Sequence, residues 1–453
     1  MSQRHPKLLT VDELRHQIGN GAIDTVIVAF TDMQGRLQGK RLHGHYFVDF
    51  VLEHGTEGCN YLLSVDIDMN TVDGYAMSSW EKGYGDMEFS LDFDTIRVLT
   101  HLPATAMIQC DLVWLDHKPV VQSPRTILKT QLDRAAAAGF TAFAGTELEF
   151  IAFDTTYEEA WSSGYRDMTP VNQYNVDYSI LGTTRVEPLL RDIRNHMYAA
   201  GMHVEGAKGE CNFGQHEIGF LYDEALVTAD NHSVYKNAAK EIAAQHGKSL
   251  TFMAKYNERE GSSCHIHLSL RGADGSILFW EDGARTPAYD HFIAGVLATM
   301  RDFTLLYAPN INSYKRFAAG SFAPTAIAWG EDNRTCSVRL VGTGAGARME
   351  NRLPGGDVNP YLALAAMLAG GLHGIDKELA LEAPLTGNAY TSDKAHVPAT
   401  LREAREAFHS SALARELFGD EVVDHYTNMA DVELASFDSA VTDWELRRSF
   451  ERM

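Results

Sequence analysis

Apolar and polar residues alternate with two different periods along this chain. From Val11 to Ile18 (VDELRHQI) the apolar positions fall three or four apart, the spacing of a helix with one buried face. Thr25 to Phe30 (TVIVAF) is an apolar run of strand-forming residues. Asp32 to Gly35 (DMQG) has turn chemistry and leads into a second strand from Arg36. Thr105 to Trp114 predicts another strand, and a turn with Pro119 follows over residues 116–122. Ser123-Pro124 then sets an N-cap residue before a first-turn proline, predicting a helix to about Ala138 that stops at Gly139. Beyond it, short strands alternate with helices predicted at Glu187–Ala200, Ser233–His246 and Ala288–Tyr307, and the chain from about residue 379 reads as mostly helical. The pattern predicts an α+β protein of two domains, 1–115 and 116–453, without internal repeats or low-complexity segments.

Four of the short segments share an oddity. Residues i and i+2 of a strand point to one face. TELEF (Thr146–Phe150) therefore puts Glu147 and Glu149 together, opposite Leu148 and Phe150. CHIHLSL (Cys264–Leu270) groups His265, His267 and Ser269, and RMENRL (Arg348–Leu353) groups Arg348, Glu350 and Arg352. EGAKGECNFGQHEIGF (Glu205–Phe220) adds Glu205, Glu210, Gln215 and Glu217. One such segment alone reads as a half-exposed strand with a solvated face. Four together predict a β-sheet cradle of paired glutamates and histidines. Glutamate is a poor strand former, and neighbouring like charges repel unless a cation lies between them. Carboxylates with an occasional imidazole suit Mg²⁺ or Mn²⁺.

Composition narrows the chemistry. The chain has 453 residues, 45% of them hydrophobic, enough for a sizeable core. A net charge of −22 argues against general nucleic-acid binding, and any anionic substrate must meet local arginines or metal. The N-terminus lacks an apolar signal-peptide core. The most apolar stretch, Tyr361 to Ile375, is too short to span a bilayer, carries Gly370, Gly371 and His373, and predicts a buried helix. Five cysteines (59, 110, 211, 264 and 336), never spaced CxxC, suggest a reducing cytoplasm with neither disulfide framework nor zinc-thiolate site.

Arginines cluster in the same half of the chain, at Arg316 (NSYKRF), Arg334 and Arg339 (NRTCSVRL), Arg348 and Arg352. Such a series beside carboxylate-held metal suits bidentate binding of carboxylate or phosphate, the parts that phosphoryl transfer needs. There is no P-loop, Rossmann fingerprint or nucleophile elbow. Gly342–Gly346 (GTGAG) reads equally as a phosphate loop or as a connector.

In this order, TELEF, GQHEI, GSSCHIHLSL, NSYKRF, NRTCSVRL and RMENRLPGGDVNPYLALAAML resemble the glutamine synthetase family over nearly the whole chain. The resemblance implies an N-terminal β-grasp domain and a catalytic domain of the glutamine synthetase/guanido kinase-like type with a curved antiparallel sheet. It implies an ATP-driven ligase that makes γ-glutamyl phosphate, with two or more Mg²⁺ or Mn²⁺ per site. It also implies a homo-oligomer, a dodecamer of two hexameric rings. By matching motif, Glu149, Glu210 and Glu217 resemble ligands of the metal near glutamate, and Glu147, His265 and Glu350 those of the metal on the ATP phosphates. Gly261, Arg316 and Arg352 resemble residues holding L-glutamate. Arg334 and Arg339 resemble those that stabilise the transferring phosphoryl group. Glu205, Tyr222, His267, Ser269 and Arg348 resemble nucleotide contacts.

Three departures bear on the second substrate. Where the family flap carries glutamate before Ala-Pro, this chain has Ser321-Phe322-Ala323-Pro324. The family's FDGSS-like segment has no match near Glu57–Asp66 (EGCNYLLSVD), and Glu260 precedes Gly261 where ammonia-using members have asparagine. Loss of two anionic groups weakens an ammonium site, while an aromatic ring still attracts an alkylammonium. GTEGCNYLL, NTVDGYAMSSW and FMAKYNEREG resemble the γ-glutamyl-amine ligases of the γ-glutamylethanolamide type. The expected second substrate is therefore a small primary amine, ethanolamine before methylamine or a polyamine, because Phe322 adds no carboxylate for a second cation. Glu217 or phosphate is the expected base. The rival readings are an ordinary glutamine synthetase and a non-catalytic nitrogen sensor. Tyr390 (GNAY), near where some members carry a modified tyrosine, reads as an ordinary surface residue.

Overall fold

Two sheets organise the chain in this computed structural model, which describes residues 5, 7–318 and 320–453. Part of the N-terminal stretch read above, residues 1–4 and 6, lies outside the described residues.

The first sheet holds β1 (Thr25–Thr31), β2 (Leu37–His43), β3 (Glu57–Cys59), β4 (Asp86–Leu91), β5 (Arg97–Val98) and β6 (Thr105–Trp114). Their order is β2-β1-β6-β4-β3, with β5 also on β6. β1 lies parallel to β6 and antiparallel to β2. As a central strand with both faces covered it buries nearly every residue, which is why its sequence is continuously apolar. The helix Val11–Gly19 starts with a reciprocal Thr10/Glu13 capping box and buries Leu14 and Ile18.

The second sheet contains β7 (Phe140–Phe153), β8 (Val204–Gly209), β9 (Gln215–Phe220), β10 (Asp223–Glu224), β11 (Ser249–Thr251) and β12 (Cys264–Gly272). After the small hairpin β13 (Trp280–Glu281) and β14 (Ala284–Arg285), it is completed by β15 (Trp329–Glu331), β16 (Val338–Val341) and β17 (Arg348–Asn351). The order is β15-β16-β17-β12-β7-β9-β8, with β10 and β11 also on β7. Neighbours are antiparallel except β15 and β16. The period-2 pattern holds: Leu148, Phe150, Ile266, Leu268 and Met349 are buried in the core beneath the sheet.

Helices cover that apolar face. Pro360–Asp376 is buried along almost its whole length, as expected of the most apolar segment. Its glycines serve helix packing. A side chain at Gly374 would come within 2.1 Å of the His291 carbonyl oxygen on the neighbouring helix Pro287–Thr299. Buried polar contacts join the two sheet units. Arg125 reaches Asp92, Asp111 and Asp230, the Tyr361 hydroxyl donates to Asp230, and the Asn359 amide donates to the carbonyls of Asp32 and Met33.

Two boundaries and one cap bond differ from expectation. The helix predicted at Ser233–His246 begins at Ala225, because its first two turns bury alanine and polar residues that carry no strong apolar signal. The helix predicted over Ala288–Tyr307 is two, Pro287–Thr299 and Thr304–Tyr307, with turns between them. Ser123 holds the N-cap position before Pro124 with extended backbone, yet its side chain makes no capping bond. Among the described residues no helix is long and apolar enough to cross a membrane.

Candidate active site

Strand register builds the site. Glu149 on β7 lies directly opposite Glu217 on β9. Glu147 lies opposite His265 on β12, His267 opposite Glu350 on β17, and Glu350 opposite Arg339 on β16. Cross-strand neighbours stand close enough to interact directly, so alternation along each strand becomes a two-dimensional array of charge.

The array has two centres. In the first, oxygens of Glu149, Glu210 and Glu217 lie within 4.8 Å of one another. Glu149 accepts from the Ser263 backbone N–H at 2.7 Å and from Gln215 Nε2 at 2.9 Å. Lys208 is ion-paired to Glu210. Burial and the charge of Glu210 push the Glu149 carboxyl up to about 8. Burial, followed by Glu147 and Glu149, raises Glu217 well above the usual range. Three crowded carboxylates with one lysine fit a divalent cation, which would replace mutual repulsion with attraction.

In the second centre, His265 Nδ1 stands 3.4 Å from Glu147 and 3.5 Å from Glu350, and His267 Nε2 stands 3.0 Å from Glu147. Glu350 is fully buried, contacted by Arg352 and by Arg339 at 2.8 Å. Burial opposes ionisation of Glu147, but bonds from His265 and His267 outweigh it and hold its carboxyl low. Burial likewise opposes the charge of Glu350, and His265 and Arg352 prevail. The tightest ligand-like trio here is Glu147, His267 and Glu350. Expectation placed His265 with those glutamates and His267 at the nucleotide. Both histidines border both glutamates' space, and His265 Nε2 is buried without a hydrogen-bond partner.

Two cavities open onto this array. One, of about 280 Å³, is lined by Glu205, Tyr222, His267, Ser269 and Arg348, the full set expected at the nucleotide, together with Glu147 and Glu217. Ala345 and Gly346 form part of its rim, so the GTGAG segment lies at this cavity. The other, of about 370 Å³, is lined by Glu147, Glu149, Glu210, Glu217, His265, Gly261, Phe322, Arg334, Arg339 and Arg352. Gly261 is sterically required: a side chain there would meet the Ala254 carbonyl oxygen at 2.4 Å and Arg316 Cγ at 2.8 Å.

One expectation, that for Tyr390, is corrected. Arg316, expected to hold glutamate, is buried behind residues that line the cavity. Its guanidinium donates to the Leu353 carbonyl at 3.0 Å and Ser263 Oγ at 2.7 Å, supporting the wall from behind. Tyr390 is half-buried, with its hydroxyl sealed from solvent, and is not an ordinary surface residue. Phe322 adds no carboxylate, and Asp177 and Glu260 line the same cavity. Asp177 and Tyr178 escaped the sequence reading because they sit on an irregular loop with turn chemistry but no periodic signal.

Residues 121–449 match the glutamine synthetase catalytic domain, and the chain belongs to the glutamine synthetase family. It is 65% identical to the γ-glutamylethanolamide synthetase GlnA4 of Streptomyces coelicolor, over 98% of this chain and 96% of that protein. It is 36% identical to a glutamate–isopropylamine ligase of a Pseudomonas species, over 99% of each. It is 35% identical to the glutamine synthetase of Thermus thermophilus, over 80% of this chain and 84% of that one. Among solved structures, ligand-free GmaS superposes with a TM-score of 0.84 at 27% identity, covering 97% of this chain and 99% of that chain.

Proposed function

We propose that this chain is an ATP-dependent ligase that joins the γ-carboxylate of L-glutamate to a small primary amine, ethanolamine foremost, through γ-glutamyl phosphate. The observation that carries the amine reading is Phe322. It stands in the flap of the carboxylate cavity with 54% of its surface exposed, where an ammonia-using relative is expected to carry glutamate. An exposed ring offers apolar contact and cation–π attraction to an alkylammonium, worth about 0.5–2 kcal/mol. Similarity to an ethanolamide synthetase and an isopropylamine ligase supports the same reading.

The geometry supports the following roles. Glu205, Tyr222, Ser269 and Arg348 receive the nucleotide in the first cavity. Gly261 and Arg352 hold glutamate in the second, with Arg316 acting from behind. Arg334 and Arg339 neutralise the phosphoryl group in flight. Glu149, Glu210 and Glu217 would hold one Mg²⁺ or Mn²⁺, and Glu147, Glu350 and a histidine of the pair His265/His267 another. Bound metal would supply charge neutralisation to the phosphates and to the glutamyl carboxylate. Residues 1–115 and 116–453 act as N-terminal and catalytic domains of a cytoplasmic homo-oligomer.

The test is phosphate release from ATP and glutamate with ethanolamine, methylamine, putrescine or ammonium as the only nucleophile. Ethanolamine is expected to turn over fastest. Phe322→Glu should gain ammonium use and lose ethanolamine use. Equal rates with ammonium and every amine, or unchanged selectivity in Phe322→Glu, would defeat the reading.

A further inference from the structure

We propose that Asp177 is the carboxylate that binds the incoming ammonium group of the amine and removes its proton. The inference rests on the amine-ligase reading above. An alkylammonium must be held as a cation and then lose a proton before its nitrogen can attack. The expected family groups for this task are absent, since Phe322 replaces one and the FDGSS-like segment has no counterpart. Something else in the cavity must supply negative charge.

Most carboxylates that line the cavity are already engaged. Glu147 is bonded to two histidines, Glu149 to Ser263 and Gln215, and Glu210 to Lys208. Glu217 is buried on the sheet, in the trio that suits a metal. Glu260 lies 4.0 Å from Arg259, and its Oε2 is buried without a hydrogen-bond partner, so it is the alternative that the experiment below must separate from Asp177. Asp177 differs. Among the described residues its side chain meets the Cys211 thiol alone, a weak donor at 3.6 Å, and the residue lines the cavity. Its carboxylate lies within 4.8 Å of ligand atoms of Glu210 and Cys211, so it adjoins the first acidic centre.

The surroundings fit an amine's alkyl part. Tyr178 and Phe322 both line the cavity, and both rings are largely exposed, 74% and 54%. Both residues adopt left-handed backbone, φ +53° and +56°, a conformation that non-glycine residues rarely hold and that gathers at functional sites. The loop is anchored, not free. Val176 is fully buried, the Asp177 N–H donates to Asn175 Oδ1 at 2.8 Å, and the Ser179 N–H donates to the Val176 carbonyl at 2.8 Å. Lys208 Nζ already sits over the Tyr178 ring, 4.8 Å from its centroid, so the wall combines the Asp177 carboxylate with the exposed Phe322 ring as the complement to a cation on a short carbon chain.

The step balances simply. An Asp177 oxygen takes one proton from R–NH₃⁺. The freed nitrogen lone pair attacks the γ-carbonyl carbon of the acyl phosphate, and the C–O bond to phosphorus's oxygen breaks with its electron pair. The departing phosphate takes the second proton from nitrogen.

The experiment compares Asp177→Asn and Glu260→Gln with the parent enzyme, using ethanolamine, propylamine, putrescine and hydroxylamine. Hydroxylamine is uncharged at neutral pH and needs neither cation binding nor a base. Asp177→Asn is expected to lower kcat/KM for all three alkylamines about ten- to hundredfold, the effect of losing a charged hydrogen bond. Hydroxamate formation and the KM values for glutamate and ATP should stay within about twofold of the parent. Equal losses with hydroxylamine and ethanolamine would mean a structural role and overturn the proposal. A loss confined to putrescine would assign Asp177 to a distal cation, and a loss in Glu260→Gln alone would assign the task to Glu260; either overturns it. Absence of amine-dependent turnover in the parent would instead defeat the amine-ligase reading itself.

Discussion

The two acidic centres share one sheet, where Glu147 and Glu149 lie on the same strand, and handle negative charge in opposite ways. Around Glu149, Glu210 and Glu217 the protein supplies one lysine to three carboxylates, and the carboxyl pKa values rise. Around Glu147 and Glu350 it supplies two histidines and two arginines, and the carboxyl pKa values fall. The first centre is short of positive charge until something binds. The second is met by two arginines and two imidazoles of its own, with burial and Arg352 holding His265 down to about 4. The same residue type in the same kind of strand therefore makes a cation-poor cluster in one place and a cation-rich surface in the other, where Arg339 and Glu350 hold each other in position. What separates them is the identity of the cross-strand neighbours.

The largest effect that breaks this comparison is on stability and activity together. Glu217→Gln and Glu350→Gln should each reduce turnover by at least about a thousandfold, since each removes a charge that positions phosphoryl-transfer machinery. Their metal-free proteins should move in opposite directions. Glu217→Gln relieves repulsion and raises the melting temperature. Glu350→Gln leaves Arg352 and Arg339 without their buried partner and costs about 3 kcal/mol. Calorimetry of both variants without divalent ions decides it; a shift of the same sign in both would mean that the centres do not differ as described.

A smaller effect is expected in the pH dependence of the metal-free protein. Glu149 is harder to ionise folded than unfolded, with values of about 8 against an ordinary 4.5. The folded state then binds that proton more tightly. Its contribution to stability is complete below pH 4.5 and is lost as the pH rises toward about 8. Glu147 and Glu350 have lowered values, so their contribution is present above the ordinary carboxylate range and is lost as the pH falls. Melting temperature against pH should show both branches. Glu149→Gln should weaken only the upper one, since Glu210 and Glu217 are raised as well, and Mg²⁺ or Mn²⁺ should flatten it by binding the ionised form. An upper branch unchanged in Glu149→Gln would place its origin elsewhere.

Much of this array is legible in the sequence, because a strand's period of two is simple. Glu147 with Glu149, and His265 with His267, follow from i and i+2 alone. Pairings such as Glu149 with Glu217 need register, which no single strand carries. The direction of Arg316 is not legible, because a motif gives a neighbourhood and not a side-chain direction; its guanidinium turns inward to Ser263 and Leu353. Asp177 was invisible because loop residues obey no period. The helix break after Thr299 was missed because Phe303, Leu305 and Leu306 continue an apolar pattern across a turn that tertiary packing decides.

The smallest effect sharpens the comparison from its nucleotide side. Tyr222 stands on the rim of the first cavity, its ring edge-on to Phe143 at 6.1 Å and its hydroxyl accepting from Arg271 at 3.3 Å. An exposed ring held in this way is a stacking surface for a purine. Stacking of a base on an aromatic side chain is worth about 1–3 kcal/mol, so Tyr222→Ala should raise the KM for ATP about tenfold. The second cavity does not include Tyr222, so the KM for the amine and the order of preference among amines should be unchanged. Initial rates at varied ATP and varied amine separate the two. If Tyr222→Ala altered amine preference, the centres would be coupled through the shared wall of Glu147 and Glu217, and the division of labour between a cation-poor and a cation-rich end would be a property of the free protein alone.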